Sequence, residues 1–310
     1  MTAAIQWRTD YERALREAQA ARRLVLAHFW LEGRPLYLEM NRRTFADAEV
    51  IRLSNERFVP VSLDLRTRAD LFERTIGGRG ALGTAIVDGS GDVVSALPGF
   101  ADTSRYLDFL RGALAGYPKL RAARAAAARA PADPQALGTL AETYEALQSP
   151  RRAEEQCEKL LQLGAATKIW SSELRRSVAF AHERIARFRA LRGKNREAAP
   201  HIAEYRRLDP DNRLGRMERV ELTDGIVAWI ERRLKDSMRI LETALAKYPS
   251  GAEIDQTMLA LAVVLHESGN DTRALSLLDA LLRQFPQSRS LPQAREQIEH
   301  IRNPPPDHVH

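Results

Sequence analysis

The only cysteine in this chain of 310 residues is Cys157, and its seven histidines are scattered. One thiol cannot resolve a mixed disulfide, so dithiol exchange within the chain lacks its second sulfur. No two histidines fall at ligand spacing within one helix. The closing DHVH, Asp307 to His310, could hold a metal only weakly and reads as a disordered polar tail after PPP. GGRG, Gly77 to Gly80, leads into a strand, whereas a phosphate cradle opens a helix. There is no P-loop and no Ser-His-Asp pattern with local support. No cofactor or metal is expected. What remains is FWLEGRPLYLEM, Phe29 to Met40, where Trp30, Gly33, Arg34, Pro35 and Tyr37 share one tight turn. Trp, Tyr and Arg dominate protein interfaces. The turn therefore offers contact, or else these residues simply pack the loop.

The elements around that turn alternate between helical and strand patterns up to about residue 118. Asp10 can cap a helix through YERALREAQAARR. LVLAHFW, Leu24 to Trp30, is a short buried strand, and a helix begins near Pro35, a residue suited to a first helical turn. FVPVSLD, Phe58 to Asp64, is a second strand, followed by a short helix from Ala69. ALGTAIVDGSGDVVSALPG reads as two strands joined at Asp88–Gly91, and Asp102 or Thr103 caps a last helix. Alternation followed by an antiparallel pair predicts a mixed sheet with helices on both faces.

Residues 119–134, KLRAARAAAARAPADP, read as an Ala/Arg-rich helical connector ending at prolines. Beyond it no strand pattern survives. Four stretches share a frame with a small residue at Ala153, Ala198, Ser237 and Ala274, spaced by 45, 39 and 37 residues. In the last three a proline follows at Pro210, Pro249 and Pro286; the first has Ala165 there. Cys157 sits four positions after Ala153, where the other stretches carry Ile202, Leu241 and Leu278. It is thus expected in an apolar core, where a thiol is a poor nucleophile.

Two resemblances follow. Residues 135–300 resemble tetratricopeptide (TPR) repeats, whose ideal period is about 34 residues, in this second-helix-plus-proline signature. Residues 1–118 resemble a thioredoxin-like domain through LVLAHFW, TFADAEVIRLSNERFVPVSLD, and TAIVDGSGDVV leading into LPGF. The resemblance places the two redox cysteines at Arg34 and Tyr37, a buried acid at His28, and the cis-proline at Leu82. Each catalytic position carries another residue, so the domain is expected to be redox-inactive. At Leu82 a trans peptide is expected, since a cis bond before a non-proline residue costs roughly 3 kcal/mol. What the family fold leaves is a groove for an extended peptide, lined by Trp30, Gly33, Arg34, Pro35 and Tyr37.

The resulting fold class is an α/β thioredoxin-like domain, the connector, an all-α TPR-like solenoid over 135–300, and a disordered tail over 301–310. This layout is similar to that of the chaperedoxins, cytosolic bacterial proteins that hold damaged clients. The favoured expectation is a non-catalytic adaptor or scaffold that binds one or more proteins. A chaperone-like holdase is the alternative, and a thiol-disulfide oxidoreductase ranks last. The basic face of ELRRSVAFAHERIARFRALRGK offers Arg175, Arg184 and Arg187 to an acidic or extended peptide. The net charge of +6, from 47 basic and 41 acidic residues, is spread along the chain without the aromatic-basic stripes of a nucleic-acid binder. The opening residues form no signal peptide and no apolar run is long enough to span a membrane. With one cysteine, the reducing cytoplasm is the expected compartment.

Overall fold

In the computed structural model, residues 4–77, 80–288 and 290–303 are described. Gly78 and Arg79 of the glycine-rich loop, and the whole DHVH tail, lie outside the described residues. The chain divides into two compact units, Met1–Lys159 and Leu160–His310.

The first unit holds the sheet. Asp10 accepts from the Arg13 amide and starts α1 (Tyr11–Ala21). After β1 (Leu24–Trp30), Pro35 opens α2 (Pro35–Arg42) at its first position, where its missing N–H leaves no bond unmade. Asp47 accepts from the Glu49 and Val50 amides and caps α3 (Ala48–Arg57), which runs straight into β2 (Phe58–Asp64). The helix expected from Ala69 starts earlier. Asp64 caps α4 (Leu65–Thr75), whose backbone breaks at Arg68. β3 (Leu82–Val87) and β4 (Val93–Pro98) form the hairpin, turning through Gly91 at φ +85°. The strand order is β2-β1-β3-β4, with β1 and β2 parallel and the other two pairs antiparallel. The expected mixed sheet is therefore present. α1 and α4 pack one face, burying Tyr11, Ala14, Ala18 and Phe72 against Val25, Ala27 and Phe29 of β1. α3 and α5 (Thr103–Arg129) cover the other. Among the described residues every peptide bond is trans, that of Leu82 included.

α5 corrects the expected connector. Residues 119–129 are the second half of one helix of 27 residues, with Leu120, Ala123 and Ala127 buried. They pack on α6 (Pro134–Ala146), so the segment is core rather than spacer. Arg124 fixes this arrangement. Its Nη1 donates to Asp88 at 2.5 Å, its Nη2 to the Val93 carbonyl at 2.9 Å, and its Nε to the Tyr144 hydroxyl at 2.9 Å. Ser95 on β4 donates to the Leu147 carbonyl at 2.6 Å. The first helical hairpin thus belongs to the sheet's unit, and the division falls at Lys159, later than the 118–135 expected from composition.

The hairpins share one turn. α6 and α7 (Pro150–Ala166), α8 (Ser172–Leu191) and α9 (Asn195–Leu208), α10 (Met217–Ile230) and α11 (Leu234–Lys247), and α12 (Ile254–Glu267) and α13 (Asp271–Gln284) are each joined by three residues. The middle one is left-handed every time: Gln148 at φ 55°, Gly193 at 69°, Arg232 at 63°, Gly269 at 79°. Five residues on, Ala153, Ala198, Ser237 and Ala274 are each fully buried; four further, Cys157, Ile202, Leu241 and Leu278 are buried as expected. Gly225 lets α10 and α11 approach, since a Cβ there would lie 2.5 Å from Leu241 Cδ2. α14 (Leu291–Arg302) follows the last hairpin and buries Ile298 and Ile301 against it. Residues 301 and 302 are therefore helix, because Ile301 completes an apolar stripe, and the expected tail beyond Asn303 lies outside the described residues.

A charged ladder crosses the second unit. Arg219 on α10 donates Nε–H to Glu253 at 2.6 Å and stands 3.7 Å from Glu183 on α8. The Glu253 amide, just before α12, donates to Glu218 at 2.9 Å. Side chains of both Glu183 and Glu253 are buried. Buried carboxylates need such pairing, so the ladder sets how α8, α10 and α12 align.

Candidate binding surfaces

The Arg34 turn is built by Gly33, at φ +75°, and by Pro35. It brings Arg34, Pro35 and Leu36 to one side of a pocket of 550 Å3 whose other side is Phe72, Leu82 and Pro98. Of the expected residues, Arg34, Pro35 and Leu82 meet there, while Trp30, Gly33 and Tyr37 do not line it. Tyr37 lies flat on Trp30, with centroids 5.0 Å apart and planes at 12°. It also stacks on His28 at 6.2 Å. The two aromatics thus stack on one another within the turn, each half-buried. Leu36 and Leu38 are about half exposed and were missed. Their i, i+2 placement in PLYLEM puts them outside any single buried face, which is the signal that could have found them. Arg34 is exposed and makes no ion pair or side-chain hydrogen bond among the described residues.

Beneath the turn, His28 is buried with Phe45 edge-on at 4.8 Å. Its Nδ1 and the Thr84 hydroxyl share a hydrogen bond of 3.0 Å. Burial pushes the imidazole down to about 3, so it is neutral at pH 7. The turn's own carboxylate, Glu32, is exposed and stands 3.4 Å from Arg66. Cys157 is buried on α7. The pocket beside the turn can hold a side chain.

The larger surface lies in the second unit, a groove of 1150 Å3. α10 supplies Leu222, Ile226 and Trp229 at helical spacing, and α12 supplies Leu259 and Val263. α14 adds Gln293, Glu296, Gln297 and His300, and the end of α8 adds Arg187 and Leu191. Leu222, Ile226, Trp229 and Leu259 also pack with the hairpin core, so the groove floor is the outer edge of that core. Of the three arginines expected here, only Arg187 lines it. Arg175 is exposed elsewhere on α8. Arg184 is buried, its guanidinium 5.5 Å from the Phe180 ring centroid, and so cannot meet a ligand.

Sequence spacing also missed two histidine pairs, because each spans two helices. His182 on α8 and His201 on α9 place their Nδ1 atoms 2.8 Å apart. His201 Nε2 faces an Arg189 donor at 3.1 Å, which makes that nitrogen the acceptor. His266, bonded to Asp271 at 2.7 Å, packs edge-on to His300. Among the described residues no group of three or more His, Cys, Asp or Glu could hold a metal ion.

These features define a helical-hairpin repeat protein that carries a small mixed sheet. No protein-family profile matches the chain, and no curated protein does. Among solved structures, it is similar to a thermophilic TPR protein of Thermus thermophilus, at 21% identity and a TM-score of 0.41, over 58% of this chain and 88% of that one. It is also similar to BtubC (BKLC) from P. vanneervenii, at 19% identity and a TM-score of 0.39, over 57% and 69%. Among the described residues no helix is long and apolar enough to cross a membrane.

Proposed function

We propose that the chain is a non-catalytic cytoplasmic adaptor, a redox-inactive thioredoxin-type domain joined to TPR-type hairpins, that docks other proteins. The observation that carries the reading is the groove between α8, α10, α12 and α14, an open surface with an apolar floor and polar rim. Strand order and the terminal antiparallel hairpin support the thioredoxin-type reading of the sheet, and the repeated left-handed turns support the TPR-type reading of the hairpins. Arg34 and Tyr37 at the redox positions support inactivity, and the Arg34 pocket is a second docking surface. A photo-crosslinking residue at Leu259 should capture one stoichiometric protein in the native host, and one at Leu36 should capture a different one. Absence of any crosslink at either position would refute the adaptor. Reduction of insulin by the full chain, with Cys157 intact, would refute inactivity.

A holdase is the second reading, favoured by Leu36, Leu38, Ile169 and Leu191, which are large, apolar and exposed. The full chain at equimolar ratio would then suppress heat aggregation of unrelated proteins, and the crosslinks would spread over many clients.

A further inference from the structure

We infer that the groove of the helical unit takes a peptide combining apolar anchors with basic side chains, an inference that rests on the docking role proposed for that groove. At 1150 Å3 the groove exceeds the roughly 300–1,000 Å3 of small-molecule sites and suits a chain segment. Its floor is apolar, from Leu222, Ile226 and Trp229 to Leu259 and Val263. Its rim is acidic. Asp255, Glu267 and Glu296 face a single guanidinium, Arg187, among the described lining residues. The chain carries +6 overall, so the sign of the groove runs against the sign of the molecule.

The pairing of these groups sharpens the point. Asp255 accepts a hydrogen bond from Ser288, which is neutral and leaves the carboxylate charge in place. Glu267 pairs with Arg232, whose side chain is 72% exposed and screened by solvent. Glu296 is exposed and makes no ion pair or hydrogen bond among the described residues. Gln293 and Gln297, on the same face of α14, likewise have no hydrogen-bond partner among them. Amides of this kind can bond an extended backbone, while the carboxylates between them select a positive side chain. An acidic segment, or a nucleic-acid phosphate, would meet like charge at the rim and gain only the floor. The acidic peptide expected from the α8 arginines is therefore the wrong sign for this surface, since two of the three arginines do not reach it.

Two pools of short fluorescent peptides, each with leucines at fixed anchor positions and either Lys/Arg or Asp/Glu elsewhere, test this by anisotropy on the full chain. The basic pool should bind more tightly and weaken as salt rises. Glu296→Lys, an exposed change, should weaken the basic pool by roughly tenfold and strengthen the acidic one. Leu259→Ser should weaken both. Equal or tighter binding of the acidic pool, still lost with Leu259→Ser, would overturn the charge inference and keep the groove as a docking site. Binding of either pool that ignores Leu259→Ser, or no binding of either pool, would remove the docking role and the inference with it.

Discussion

The pocket beside α2 and the groove across α8 to α14 handle polar groups in opposite ways. Beneath the Arg34 turn, His28 is buried and held below its ordinary range by that burial, and Thr84 completes its hydrogen bond. Around the groove, charge is retained. It is paired inside, at Glu183, Arg219 and Glu253, and left open at the rim, at Glu296. A buried polar atom is kept either neutral, as at His28, or ion-paired, as at Asp88 with Arg124. A stack of hairpins exposes one stripe of every first helix, and that stripe can carry charge at little cost. Among the described residues, the pocket of the sheet unit therefore presents a single positive group, Arg34, and the groove of the helical unit presents mostly carboxylates.

The sharpest way to break this contrast is to open the charged ladder. Arg219→Leu removes the guanidinium shared by the buried Glu183 and Glu253, and should cost about 3–5 kcal/mol in urea unfolding of the full chain. A loss below 1 kcal/mol would show that the ladder does not align the helices. In the sheet unit the matching change is Arg124→Ala. It removes the ion pair from Asp88 Oδ2 and a donor from the Val93 carbonyl, and should cost about 3 kcal/mol, with the transition of the first unit moving first.

Acid separates the two regions next. His28 titrates near 3 when folded and near 6.5 when unfolded, so as pH falls below 6.5 the unfolded chain takes up the proton first. Stability from this group is complete above pH 6.5 and is lost downward at about 1.4 kcal/mol per pH unit, about 2 kcal/mol by pH 5. In His28→Leu the difference between melts at pH 7 and pH 5 should shrink by that amount. An unchanged difference would mean that the imidazole is charged in the folded protein. The smallest effect is expected at the turns. Arg232 holds φ 63° where two of its equivalents are glycine, so Arg232→Gly should stabilise by about 0.5–1 kcal/mol. Destabilisation would indicate that its pair with Glu267 outweighs the backbone strain.

Much of this was legible in residue order. LVLAHFW and FVPVSLD became β1 and β2 with unchanged ends, because both are apolar runs bounded by caps and turns. The frame through Ala153, Ala198, Ser237 and Ala274 carried over because a close helix–helix approach admits only small residues there. Cys157 followed from the frame. The second half of α5 did not: its Ala/Arg composition looks like a helical linker, whereas the burial of Leu120, Ala123 and Ala127 and the hydrogen bonds of Arg124 show it to be core. Arg184 misled for a similar reason, as an arginine on an amphipathic helix can lie over an aromatic ring instead of facing water. The groove's sign was hidden because Arg187, Asp255 and Glu296 lie on three helices far apart in sequence. α14 carries no repeat signature, so nothing marked it before its apolar stripe was seen to pack.

Hydrogen exchange of the full chain, alone and with the basic peptide pool, reads the docking surface most directly. Amides of α12 and α14 around Leu259 and Glu296 should gain protection on binding, and at the same peptide concentration Glu296→Lys should reduce the gain. Bound peptide with no added protection in these helices, or protection confined to the first unit, would contradict a peptide-docking groove in the helical repeats.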